Sequence, residues 1–121
     1  MALTVRWSLT GLSRPERAAV ERLTKTLSEK FAQRIHSITM FGLSDRPYTP
    51  DREIQLLVLL HDEDQELEEK VTDEVLDLLL DTGVYLSVKC FTLCQYNAFE
   101  RMQLPFVDAV RADPIPLWKA A

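Results

Sequence analysis

The chain has 121 residues, 46% hydrophobic and 27% charged, with 14 basic side chains against 19 acidic ones and a net charge of −5. Those proportions exclude collagen-like, low-complexity and wholly disordered classes, and a chain of this length buries about two-thirds of its unfolded surface, enough for a core without staples. The longest stretches free of Asp, Glu, Lys and Arg, Ile35 to Ser44 and Cys90 to Phe99, reach 10 residues, against the roughly 18 that a membrane span needs.

The expected organisation is therefore one domain over residues 1–121, with its core at about 13–118 and no membrane span. The opening MALTVRWSLT lacks a continuous apolar run and a small-residue cleavage site, which makes the cytoplasm the expected compartment. Two cysteines, Cys90 and Cys94, cannot build a disulfide framework or complete a zinc site. They are expected as reduced thiols in or near the core. The charge is uneven: +3 over residues 1–60, −9 over 61–81 and +1 over 82–121. One local acidic block does not indicate a nucleic-acid-binding surface.

In chain order, Ser13-Arg14-Pro15-Glu16 fits a capping box, with proline tolerated in the first turn, and so predicts a helix start. Val20, Leu23, Leu27 and Phe31 recur at steps of three and four, a buried stripe on a helix reaching about Phe31. Ile35 to Phe41 is rich in β-branched and aromatic residues and ends at Gly42, a first strand. After Pro47 and Pro50, Ile54 to Leu60 is an apolar run broken only by Gln55. That pattern predicts a central strand covered on both faces.

The acidic block reads as a helix. Asp62, Glu63 and Asp64 suit the exposed amides of its start, Leu67, Val71, Val75, Leu78 and Leu79 form its apolar stripe, and Gly83 stops it. Val84 to Thr92 reads as a third strand, with Val84, Leu86, Val88 and Cys90 on one face and Tyr85, Ser87, Lys89 and Phe91 on the other. Short helices are expected around Asn97 to Met102 and Pro105 to Arg111. Ile115 to Leu117, between and after prolines, is expected as a brief edge strand. The whole is an α+β (or α/β) domain.

Between the first two strands the chain reads Phe41-Gly42-Leu43-Ser44-Asp45-Arg46-Pro47, then Thr49-Pro50-Asp51-Arg52-Glu53-Ile54-Gln55-Leu56-Leu57-Val58. This resembles the minimal nucleotidyltransferase family, where a strand ends in Phe-Gly-Ser, Arg-Gly follows, and Ser-Asp-x-Asp opens an apolar strand. The capped first helix, the acidic helix, the third strand and the ending Leu104-Pro105-Phe106 to Leu117-Trp118 are similar to its small stand-alone members. The resemblance implies a nucleotidyltransferase-like fold, a small mixed sheet flanked by helices. It also implies a nucleoside triphosphate, magnesium, and an all-helical HEPN-type (higher eukaryotes and prokaryotes nucleotide-binding) partner protein in a toxin and antitoxin pair.

The chemistry explains the motif. Magnesium ions neutralise the charge that grows as pyrophosphate leaves, hard cations need carboxylate oxygens, and two acids at i and i+2 of a strand share one face. A Gly-Ser turn brings backbone amides to the phosphates. Here the paired acid positions hold Glu53 and Gln55, and the third falls at Ser87 or Lys89. Gly42, Ser44 and Arg46 are the candidate nucleotide-binding residues, with Leu43 and Pro47 replacing a Ser and a Gly. Glu53 and Gln55 are the candidate catalytic pair, and Glu53 the candidate metal ligand. Glu53 alone leaves the local charge at −1, or 0 if Lys89 joins it.

Three functions are compatible with these residues. The leading one is a catalytically degenerate nucleotidyltransferase-like module that binds nucleotide or regulates a partner. Another is an active magnesium-dependent enzyme moving a nucleoside monophosphate to a protein or small-molecule hydroxyl. The third is a structural interaction domain, a homodimer through an exposed sheet edge or a terminal Trp. His36 and His61 are expected apart, at opposite ends of different strands. Trp7 and Trp118 are expected in the core, with packing against each other or a place on a partner surface as the alternatives.

Overall fold

The computed structural model describes residues 12–42 and 53–120. Helix α1 (Arg14–Lys30) starts as its sequence dictates: the Ser13 hydroxyl accepts the Glu16 amide at 3.3 Å and the Glu16 carboxylate accepts the Ser13 amide at 2.9 Å. Then follow β1 (Ile35–Phe41), β2 (Ile54–Leu60), α2 (Gln65–Thr82), β3 (Leu86–Thr92), α3 (Leu93–Arg101), α4 (Pro105–Ala112) and β4 (Ile115–Lys119). The fold is α+β, a four-stranded mixed sheet with helices on its faces.

The strand order is β3-β2-β1-β4, with β1 antiparallel to both β2 and β4, and β2 parallel to β3. Alternation sends Ile38, Met40, Leu56, Val58, Leu60 and Leu86 against the Val20, Leu23 and Leu27 stripe of α1 and the Leu67, Val71 and Leu78 stripe of α2. The opposite face carries Phe41, Leu57 and Leu59, covered by Val110, Phe106 and Tyr96 of α4 and α3. The apolar run Leu56 to Leu60 of β2 thus has its cause: both faces are covered and both edges are paired. Ion pairs Arg22–Asp81 at 2.8 Å and Lys30–Glu74 at 2.9 Å join α1 to α2. Such exposed pairs orient helices more than they stabilise them.

Four boundaries or placements differ from expectation. Strand β3 opens at Leu86, not Val84, because Gly83 turns left-handed at φ 75° and the Val84 amide donates back to the Thr82 hydroxyl at 3.2 Å. Helix α3 begins at Leu93, not near Asn97, because Thr92 and Gln95 form a reciprocal capping box of 3.0 and 2.9 Å. Strand β4 continues past Leu117 to Lys119, paired with β1; Pro116 sits beside a register shift, where a missing amide is tolerated. Cys94 is exposed, and only Cys90 is near the core. Trp118 is buried at 3% exposure, while Trp7 lies outside the described residues. No described helix is long and apolar enough to cross a membrane.

Candidate functional site

The C-terminal end of β1 and the first residues of β2 and β3 meet at one end of the sheet. Phe41 pairs with Gln55 and Gln55 with Ser87, so the three strands present adjacent positions. Gly42 follows at φ 80°, a backbone state that costs any residue with a Cβ about 1 kcal/mol or more. A Cβ there would sit 3.6 Å from Gln55 Nε2. That is ordinary contact, so the backbone sign and not crowding selects glycine, and the Gln55 amide lies directly beside the turn.

Gln55 and Ser87 share the sheet face of Leu57 and Leu59, and both are half-buried where the α3 and α4 cover runs out. Glu53 immediately precedes β2, one alternate position before Gln55, and is exposed. Lys89 is in register with Leu57 and not with Gln55, a step of about 6.6 Å further along β3. Ser87 therefore stands opposite the second acid position. Gly42, Gln55 and Ser87 are brought together, Glu53 flanks them, and Ser44 and Arg46 lie outside the described residues.

Among the described residues, the donor set at this end is one carboxylate, one amide and one hydroxyl. Divalent cations need several anionic oxygens, and among the described residues no three His, Cys, Asp or Glu side chains gather as a metal cage. These residues do not fit a resident magnesium ion. What they can do is hydrogen-bond: Gln55 offers two N–H donors and a carbonyl, Ser87 a hydroxyl, and the Gly42 backbone is open to close approach.

Two arrangements elsewhere were hidden in the sequence. His36 and His61 are not apart: antiparallel pairing of Ile35 with Leu60 brings the strand ends together, and the rings meet edge to face with centroids 5.8 Å apart. His36 Nδ1 lies 3.1 Å from the Ser37 hydroxyl. Burial, then the neighbouring His61 and Lys119, push the His36 pKa below its ordinary value.

At the far end of the parallel pair, the starts of α2 and α3 border a hollow of about 530 Å³ lined by Leu60, Glu63, Asp64, Glu68, Cys90 and Gln95. Helix starts there usually favour anions. Here the Asp64 carboxylate and the Thr92 hydroxyl already accept the Leu67 and Gln95 amides, and three acids repel a phosphate. Cys90 at its wall is half-buried, and desolvation pushes its thiol up to about 12.

No protein-family model matches this chain, and no curated protein matches it in sequence.

Proposed function

We propose that the chain is a nucleotidyltransferase-like domain with a degenerate metal site, acting in the cytoplasm as a nucleotide-binding or regulatory module. What supports this reading is the register that sets Phe41, Gln55 and Ser87 side by side on three strands, with Gly42 next to Gln55 and Glu53 the one carboxylate beside them among the described residues. Two of the three positions where the resemblance expects acids, Gln55 and Ser87, hold neutral hydrogen-bonding groups. Such groups hold a nucleotide through its hydroxyls, phosphate oxygens or base edge, and they do not anchor a cation. Ser44 and Arg46 are the proposed phosphate contacts, and a helical HEPN-type protein is the proposed partner.

Calorimetry with ATP, with and without magnesium, tests the reading, alongside transfer assays using labelled ATP. The expected result is nucleotide binding that magnesium changes little and that Gln55→Ala weakens about tenfold, equivalent to ~1.4 kcal/mol, with no transfer. Robust transfer abolished by Glu53→Ala would replace this function with catalysis. Absence of binding under both conditions would leave only a structural role.

A further inference from the structure

Among the described residues β3 is an edge of the sheet, seven residues long with a neighbour on one side only. Every second residue of such a strand turns its N–H and C=O away from the sheet, a row of groups ready to pair with another chain. Helix α2 overhangs this edge. Between them is a hollow of about 200 Å³, walled by Val71, Val75 and Leu76 of α2 and floored by Val88 and Cys90 of β3, with Tyr85 at its mouth. Leu76 and Tyr85 are half exposed, at 49% and 50%, and Val88 is only partly buried although it lies on the core face. The hollow shares Glu68 and Cys90 with the larger one at the starts of α2 and α3, so the two adjoin and follow β3 toward Thr92.

Charge selects the occupant. On its α1 side, α2 and its cap satisfy Asp64, Glu74 and Asp81 with Arg34, Lys30 and Arg22. On the hollow side, Glu63 and Glu68 line the walls. A second copy pairing its own β3 here about a two-fold axis would bring two helices of the −9 block side by side, a like-charge juxtaposition that costs several kcal/mol. Exposed Lys89, on the opposite face of β3, favours a neutral or acidic residue beside it.

We propose that the β3 edge beneath α2 docks an extended segment of another protein as a fifth strand, one whose α2-facing side chains combine an apolar residue with flanking lysines or arginines. Main-chain pairing supplies affinity; the alternate side chains supply the choice of partner. The apolar residue enters between Val75 and Val88. The long basic side chains lay their stems on Leu76 and Val71 and reach Glu68 and Glu63.

The test uses the full chain and the synthetic peptide Thr-Lys-Thr-Val-Thr-Lys-Thr, which reads the same in either direction and places Lys, Val and Lys on one face. Amide hydrogen exchange and chemical shifts report on β3. The expected result is slowed exchange at alternate β3 amides, weakened about tenfold by Glu63→Lys with Glu68→Lys, by Leu76→Asp or by a Glu-for-Lys peptide, and abolished by N-methylation of the peptide's pairing amides. Unchanged β3 exchange at millimolar peptide overturns the proposal, as does equal binding of the Glu-containing or N-methylated peptide. Protection of β3 that rises with protein concentration and no peptide would assign the edge to a second copy and overturn it equally.

Discussion

Arg34 holds Asp64 by two parallel hydrogen bonds, Nε to Oδ2 at 2.7 Å and Nη2 to Oδ1 at 2.6 Å, while the same Oδ1 accepts the Leu67 amide at 3.1 Å. One carboxylate thus caps α2 and ties its start to the residue preceding β1. The Arg34 bonds, then the Leu67 amide, hold the Asp64 carboxyl below its ordinary 3.8. A depressed carboxyl contributes stability above its unfolded pKa and loses it as pH falls through the folded one. Asp64→Asn retains an oxygen for the cap and removes the ion pair. Its urea midpoint should lie below the parent's at pH 7 and converge on it in acid, and Asp64→Ala should be lower than both at pH 7.

His36 acts in the same direction by a different cause. Its folded pKa is below 6.5 because burial, His61 and Lys119 disfavour the cation. The unfolded chain binds the proton more tightly, so stability falls as pH drops below about 6.5 and stops falling beneath the folded pKa. Denaturation midpoints from pH 8 to pH 5 should decline in the parent, and His36→Gln should flatten that part of the decline.

The two thiols should separate cleanly. Cys94 is exposed on α3, whereas Cys90 is half-buried with its pKa pushed up to about 12, and the thiolate is the reactive species. A disulfide reagent at pH 8 should titrate a single thiol in the native chain and both in denaturant. Cys94→Ser should remove the fast phase entirely.

Backbone and cap chemistry give two stability changes of similar size. Gly42→Ala forces a side chain into φ 80° and should cost about 1 kcal/mol, more than the space around it explains. Thr92→Ala removes the hydroxyl that accepts the Gln95 amide at 3.0 Å and should cost about 1 kcal/mol. Chemical denaturation resolves both. Under the proposed function, nucleotide binding would distinguish them: Gly42→Ala, beside Gln55, should weaken it, and Thr92→Ala, at the opposite end of β3, should not.

Restoring acids is the direct test of a common pocket. Glu53→Asp with Gln55→Asp places two short carboxylates on one face of β2. Magnesium affinity, measured by calorimetry, should rise at least about tenfold over the parent chain, and no gain would mean that these positions do not line one pocket.

Periodicity and capping made much of the architecture legible: the Ser13 box, the stripe Val20-Leu23-Leu27, the both-faced run of β2 and the Gly83 stop all stand where local chemistry put them. The Thr92-to-Gln95 capping box was readable too, and it marks the α3 start that the apolar pattern alone placed too late. The meeting of His36 and His61 was not readable, because strand direction and register are set by nonlocal pairing. The same holds for Ser87 against Lys89: both occupy the same face by alternation, and only the parallel register with β2 decides which one adjoins Gln55.

Strand β1 lies inside the sheet, yet its two neighbours come from very different parts of the chain. Met40 pairs with Leu56 on one side and with Ile115 on the other, 75 positions downstream. During synthesis, Ser37 to Met40 therefore keep an unsatisfied flank until residues 115–119 leave the ribosome. The nascent polypeptide has a long interval in which that flank can recruit the wrong strand. An unpaired flank of this kind is where a chaperone would act on the nascent polypeptide.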